Sequence, residues 1–539
     1  MAKRKRAPAP ALQPRFTFPE WLLPAGALAA LVVAVYANSL FNGFVSDDKI
    51  QLLRNPLLAG ISQIPRIFRS SVWSILQTPA SPGNYYRPMQ FLVYMGLYQC
   101  AGFSAPVFHA FMVLLHAANT LLLYFLVRRL ASARLALAAG ALFAIHPIHT
   151  EVVDWIAALP DLMVTTVALL AIFWLARSVD PPRGLRIAGH CVLYLLALLT
   201  KETGVMLLPL YAGFGFFYRE RGWHEFRRNA PLYAGLAATF CVYLAMRWAA
   251  LGNLAPGQQA FFHLTPLAFA LSVVVIGGQY LAALLFPINL SYFHIFHPTV
   301  AFTPALAISF VALAAPAIAV FRFRTPLLAY GAFWIAATLA PAFNLTGVGQ
   351  NVFAERYLYL PSAGFCWIAA WAWVRLANYK PAWAMAAGAL LLLGAGAEVI
   401  ARNRDWRDDF TLFQVSLRQA PTSGWLHNWM AGACVERRDV ACAMEEEQLA
   451  VRYEPRAPSF HENLGNILLL TNPRAAVSEF EKLLALAPGR AESHSDLAIA
   501  LEAAGEPDRA AAEYETVLRL QPGNQEAREG YRRVTAHLQ

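Results

Sequence analysis

WLLPAGALAALVVAVYANSLFNGFVSDDKI, residues 21–50, runs an apolar stretch straight into two adjacent carboxylates, Asp47 and Asp48. The stretch Trp21–Leu40 is long enough to cross a bilayer as an α-helix. The acids then stand at the mouth of the first span. A solvated turn after a helix is the plain alternative, and the rest of the chain decides between them. The preceding MAKRKRAPAPALQPR is basic and proline-rich, with no cleavage site behind a shorter apolar core. It reads as a cytoplasmic tail, residues 1–20, whose Lys3 to Arg6 hold the N-terminus inside and leave Asp47 and Asp48 outside.

Composition agrees. Of 539 residues, 58% are hydrophobic and 14% charged, and a mean hydropathy of +0.43 marks a polytopic membrane protein. The net charge of +10 lies largely at helix ends and in the tail, so nucleic acid is excluded as a partner. The six cysteines form no metal-ligand pattern. Cys100, Cys191, Cys241 and Cys366 lie in or beside apolar runs, while a disulfide between Cys434 and Cys442 depends on their segment facing an oxidising compartment, which spacing alone does not show.

Ten further apolar runs follow, near 106–127, 134–152, 160–177, 186–200, 203–218, 231–250, 302–321, 326–342, 357–375 and 382–400. With these as spans, the basic loops Arg128/Arg129, Arg177/Arg183/Arg186, Arg219/Arg221/Arg227/Arg228, Arg322/Arg324 and Arg375/Lys380 all fall inside. Two more apolar stretches, 88–103 and 266–286, break the alternation if they cross, and are read as re-entrant or interfacial. The expected architecture is all-α: a polytopic helical bundle of about eleven spans (eleven to thirteen), residues 21–405, followed by a soluble segment, 406–539.

One side of the membrane then collects the ionisable groups. Beside Asp47 and Asp48 it receives Arg87, the set His146, His149, Glu151, Asp154 and Asp161, then Lys201 and Glu202, and Glu355 and Arg356. Such convergence from separate loops points to a site. Bland readings stand beside it. His146-Pro147 ends a helix, Lys201–Glu202 and Glu355–Arg356 form ion pairs between neighbours, Arg87 anchors a headgroup, and Tyr357 and Tyr359 join an interfacial aromatic belt. His146, His149 and Glu151 suit a turn, and no fourth ligand is identifiable, so no metal is assigned; a divalent cation stays an open alternative.

The soluble segment carries repeats. Pro455, Pro488 and Pro522 recur at the tetratricopeptide period. Leu464-Gly465 is followed by Ala476 and Phe480, and Leu497-Ala498 by Ala510 and Tyr514. The first of about three repeats is degenerate, with Ala431-Gly432 leading and polar Glu447 in the aromatic position. Stacked helix hairpins of this kind form a solenoid with a protein-contacting surface.

An ordered set of segments carries a family resemblance: NGFVSDDKIQLLRNPLL (42–58), YYRPMQFLVYMGLY (85–98), FHAFMVLLHAANTLLLYFLVRRL (108–130), LFAIHPIHTEVVDWIAALPDLM (142–163), LLTKETGVMLLPL (198–210), LLFPINLSYFH (284–294), FAERYLYLPSAGF (353–365) and RNRDWRDDFTLFQVSL (402–417), then the repeats. Together they resemble the transmembrane and tetratricopeptide-repeat family of polyprenyl-phosphate-sugar-dependent O-mannosyltransferases, of the GT-C superfamily. The resemblance implies transfer of a sugar, mannose by family, from a polyprenyl-phosphate donor to a protein hydroxyl. It also implies an inverting displacement with Asp47 or Asp48 as general base. Arg356, Lys201 and Arg87 are the expected phosphate ligands, in that order, with His146, His149, Glu151, Glu202, Glu355 and Asp161 in support. One departure is Ala157-Ala158-Leu159-Pro160-Asp161, where the family often has a Gly-Arg-Ala-Asp-like loop. Three alternatives remain: a lipid-linked-sugar transferase acting on a glycan or lipid, a transporter, and a non-catalytic scaffold presenting repeats. Transport is disfavoured because the charges gather at one surface rather than at the midplane. The expected location is a bacterial cytoplasmic membrane with site and repeats periplasmic, or the endoplasmic reticulum with a lumenal site in a eukaryote.

Overall fold

A computed structural model describes residues 20–76, 85–177, 182–219, 223–252, 254, 262–323, 325–345 and 351–536, which form helices and connecting turns without a strand. The basic tail lies outside the described residues, apart from Glu20. Two compact units divide at Asp408: residues 1–408 and 409–539.

In the first unit, α1 (Leu22–Tyr36) continues as a 3-10 turn to Phe41, and the chain passes short α2 (Ile64–Ile67) before α3 (Pro88–Ala101). A hairpin of α4 (Ala105–Leu130) and α5 (Ala133–Ile145) leads to short α6 (Thr150–Asp154) and then α7 (Leu159–Ala176). After α8 (Leu185–Thr200) and α9 (Leu207–Tyr218) come short α10 (Trp223–Arg228), α11 (Ala230–Leu251) and α12 (Pro266–Leu285). The unit closes with α13 (Pro304–Phe323), α14 (Pro326–Leu339), α15 (Tyr359–Tyr379) and α16 (Pro381–Arg402). Eight of these stretches are long and apolar enough to cross a bilayer: those of α1, α4, α7, α11, α12, α13, α14 and α16. A ninth is α5 joined to Pro147–Asp154, bent by 52°, where Pro147 supplies no amide to continue the ladder. The sequence reading of eleven also counts the runs of α8, α9 and α15, which fall short of this standard, and leaves out α12, which meets it.

The two ends of the bundle differ in chemistry. At one, Arg128 approaches Glu20 at 3.7 Å, Arg129 donates to the Ala176 carbonyl and Arg219 to the Leu175 carbonyl. The guanidinia of Arg129 and Arg219 satisfy carbonyls that the C-terminus of α7 leaves open. At the other, Asn403 donates to the Val35 carbonyl and Asn38 to the Ile400 carbonyl, tying α1 to α16. α3 keeps to that second end: Arg87 precedes it and Gln99 bonds the Leu58 carbonyl. The Leu284 carbonyl of α12 meets His146, and its Ser272 hydroxyl meets the Thr299 amide in the loop that follows it. Elsewhere small residues set the spacing. At Gly331 of α14 a Cβ would collide with the Trp367 indole nitrogen of α15, and at Gly364 one would meet the Gly331 carbonyl at 2.7 Å.

The second unit opens with α17 (Asp409–Gln419) and stacks three hairpins: α18 (Gly424–Glu436) with α19 (Val440–Tyr453), α20 (Pro458–Leu469) with α21 (Pro473–Leu486), and α22 (Ala491–Ala504) with α23 (Pro507–Leu520). α24 (Gln525–Ala536) covers the last. Gly465 receives the Phe480 ring and Gly530 the Tyr514 ring, each so closely that a Cβ would clash. The first repeat's register differs from that expected. Met430 and Ala431 are buried and take the place of Leu464-Gly465, whereas a Cβ on Gly432 would meet nothing. Cys434 and Cys442 are disulfide-bonded across the first hairpin, and the other four cysteines are free.

Candidate active site

The loop after α1 is pinned before it reaches the aspartates. Gly43 donates its amide to the Arg407 carbonyl at 2.9 Å, and Asn42 its side-chain amide to the Asn403 carbonyl at 2.8 Å. Ser46 adopts a positive φ of 51° and meets the Tyr292 hydroxyl at 2.7 Å, a strained turn of the kind that packing must sustain. Asp48 then folds back. Its carboxylate accepts the Val45 amide at 3.1 Å and the Ala157 amide at 2.6 Å, fully buried. One bond closes its own turn; the other fastens that turn to the chain between α6 and α7. With Asp48 so held, Asp47 lines a cavity of about 420 Å³.

Arg87, Asp161, Lys201, Glu202, Arg247 and Arg356 line the same cavity, with Gln51, Trp73, Tyr85, Trp155 and Tyr357. The neighbouring ion pairs expected from the sequence do not form, each of the four residues pairing with a distant one. Lys201 instead bonds Asp161 at 2.5 Å, and Glu202 takes Arg87 through Nε at 3.0 Å and a terminal nitrogen at 2.8 Å. Arg356 bonds Glu151 at 2.6 Å and adds its own backbone amide to that carboxylate at 2.8 Å. Its guanidinium lies 5.3 Å from the Trp155 ring centre and 5.1 Å from that of Tyr357, within cation–π range.

Burial and partners set the charges. Burial pulls the Lys201 ammonium down; Asp161 offsets this only in part, and Arg87 deepens it, so the amine sits below its ordinary range. Burial acts on Arg356 in the same sense, but Glu151 more than compensates and the guanidinium stays charged, well above its usual value. Arg87 is raised likewise by Glu202 against its burial. The cavity thus presents fixed cations, a lysine poised lower, and Asp47 among them.

Other expected residues lie elsewhere. His146 accepts the Ile148 amide at Nδ1, so Nε2 carries the proton and donates to the Leu284 carbonyl at 3.0 Å. His149 is buried between the Phe143 carbonyl and the Ser362 hydroxyl. Both histidines bond backbone carbonyls and neither lines this cavity, unlike the expected substrate-binding role. Glu355 is buried against Arg402 at 3.1 Å and the Ser291 amide, off the cavity lining. Glu151 stands behind Arg356 rather than on the lining. Asp154 is fully buried off the cavity. Tyr359 leaves the expected belt for the core, bonding His116 at 2.7 Å, and Tyr357 faces the cavity. Among the described residues no group of three or more His, Cys, Asp or Glu could hold a metal. Sequence reasoning missed Arg247, although a lone arginine inside the apolar run 231–250 was a legible signal.

Comparisons with known proteins fit this arrangement. The profile described as dolichyl-phosphate-mannose-protein mannosyltransferase matches residues 86–248, and a tetratricopeptide-repeat profile matches 468–534. A Caenorhabditis elegans protein named Protein O-mannosyl-transferase F38B6.6 is 24% identical over 413 residues, 74% of this chain and 58% of its own length. Protein O-mannosyl-transferase TMTC3 of Mus musculus is 24% identical over 81% of this chain and 52% of its own length. Protein O-mannosyl-transferase Tmtc2 of Drosophila melanogaster is 33% identical over 221 residues, 40% of this chain and 24% of its own length. The resemblance read from the sequence is borne out, and the chain spans little more than half the length of the first two relatives.

Proposed function

We propose that the protein is a multi-pass membrane glycosyltransferase of GT-C type that moves mannose from a polyprenyl-phosphate donor to hydroxyl groups of a protein. The observation that carries this reading is the cavity in which Asp47 faces Arg87, Lys201 and Arg356 at one end of an apolar bundle. A lipid-linked donor must be met at a membrane surface. Its leaving group is a phosphate, whose developing charge fixed cations stabilise. Asp47 takes the proton of the acceptor hydroxyl as it attacks the anomeric carbon, a contribution of about 10² to 10⁴ in rate. The anomeric centre inverts in one displacement, the bond to the phosphate oxygen breaking as the new glycosidic bond forms. Asp48 is the positioning residue, since its carboxylate is engaged by two amides and lies off the cavity. The site and the repeats would face the periplasm, or the lumen of the endoplasmic reticulum. The disulfide of the first hairpin supports an oxidising side for the repeats.

Purified protein given radiolabelled polyprenyl-phosphate-mannose and a mixture of periplasmic proteins tests this. Wild type is expected to label protein. Asp47→Asn should lose about 10² or more of the rate without loss of melting temperature. Asp48→Ala should instead lower the melting temperature, because two buried amides lose their acceptor. Labelling that survives in Asp47→Asn would sink the assignment of the base. Donor consumption without protein labelling would move the acceptor to a glycan, a lipid or water.

A further inference from the structure

Arg247 differs from the other cations of the cavity in where it comes from. Arg87, Lys201 and Arg356 sit in turns between helices, whereas Arg247 lies within apolar α11, one of the less covered spans of the bundle. A guanidinium in such a segment is expensive and marks function when it persists. Here it is only 8% exposed and turned into the cavity wall. The next residue, Trp248, is 56% exposed on the outside of the helix. Exposed tryptophans near helix ends settle at headgroup level, so Arg247 stands at the depth of the membrane's own phosphates. Its Nε reaches the Leu254 carbonyl at 3.3 Å, and the Tyr243 hydroxyl one turn earlier also bonds it. The Tyr243 ring lies 6.2 Å from that of Tyr86, the neighbour of Arg87.

We propose that Arg247 is a ligand of the donor's lipid phosphate, held with Arg87 at the membrane-facing wall of the cavity. This rests on the donor reading above. A donor whose isoprenoid tail stays in the bilayer leaves its phosphate where cavity meets lipid, and α11, little covered by the rest of the bundle, supplies Arg247 to the lining. The guanidinium offers two parallel N–H groups to a phosphate. Arg356 lines the same cavity, bonded to Glu151 and beside Trp155.

The test measures binding of radiolabelled polyprenyl phosphate and of uncharged polyprenol to the full-length protein in nanodiscs. Arg247→Gln is expected to bind polyprenyl phosphate about 10-fold or more weakly, since charge-assisted bonds are lost. Arg247→Lys should recover part of the affinity, and all three proteins should bind polyprenol alike. Equal phosphate affinity in Arg247→Gln overturns the proposal. So does a loss of polyprenol binding that matches the loss for the phosphate in both variants, since that marks a structural role. If wild type transfers sugar while Arg247→Gln keeps its phosphate affinity, this assignment alone falls. If wild type binds neither polyprenyl phosphate nor its mannosylated form, the donor reading falls and takes this one with it.

Discussion

Glu447 occupies the position that Phe480 and Tyr514 fill in the next two repeats, and it is buried there with only Asn428 as hydrogen-bond donor, at 3.0 Å. Burial pushes its carboxyl up to about 8, with the Asn428 bond pulling the other way. The folded chain therefore holds this proton more tightly than the unfolded one between roughly pH 4.5 and 8. Its stabilising share is complete at the acid end and is lost as pH rises through about 8, a change on the order of a few kcal/mol. Glu447→Gln should remove that slope and protect α18 and α19 at pH 8, read as slower amide hydrogen exchange in that hairpin. Equal exchange in the two proteins at pH 8 would mean the carboxyl is ionised without cost. The sequence exposed this site as a broken repeat position, yet could not show how the break is accommodated. At the candidate site the same limit applied. Asp47 and Asp48 were legible as a pair, but only the loop's path to the Ala157 amide distinguishes them. His146 and His149 lie off the cavity, bonded to backbone carbonyls, a placement that their sequence spacing did not reveal.

Each repeat hairpin contains a histidine that reading by proline and aromatic spacing passed over. His427, His461 and His494 contact the carbonyls of Pro421, Pro455 and Pro488 through Nε2, and Glu446, Glu479 and Glu513 through Nδ1. Their spacing repeats that of the prolines, so the signal was present. What could not be seen was that one imidazole joins the loop before a hairpin to the second helix of that hairpin. At His427 burial lowers and Glu446 raises the ring's proton affinity, and the carboxylate prevails. The first hairpin carries a second fastening, the bond from Cys434 to Cys442. A closed loop of this size constrains the unfolded chain by about 2–3 kcal/mol. Cys442→Ser is expected to lower the denaturant midpoint of the repeat unit by a matching amount, and reductant should do the same to wild type but not to the variant. A variant that responds to reductant as wild type does would place the effect elsewhere. Among the membrane elements, apolar length makes α12 a candidate span, whereas charge alternation in the sequence leaves it re-entrant or interfacial.

At the scale of the molecule, two units with separate cores carry separate tasks under the proposed function. The bundle holds every residue assigned to the donor and the base, from Asp47 to Arg356. The repeats offer a protein-contacting surface and none of the cavity's lining. Binding an acceptor through one unit while the other reacts converts an encounter into a local event, and such tethering raises effective affinity by about 10² to 10⁴. Removing residues 409–539 should therefore leave polyprenyl-phosphate binding within a few-fold of wild type, while protein labelling at low acceptor concentration falls at least 10-fold, the lower edge of a tethering effect. A short synthetic acceptor peptide supplied in excess should restore labelling, because mass action then replaces the tether. Full labelling of whole proteins by the shortened chain would assign acceptor choice to the bundle itself. Loss of donor binding would show instead that the repeats support the fold of the first unit. The ordered motifs and the repeat period made this division readable in the chain's own letters, since each unit has its own periodicity and composition. The internal pairing of the cavity was not readable, because Lys201 with Asp161, Glu202 with Arg87 and Arg356 with Glu151 each join distant turns that only the folded bundle brings together.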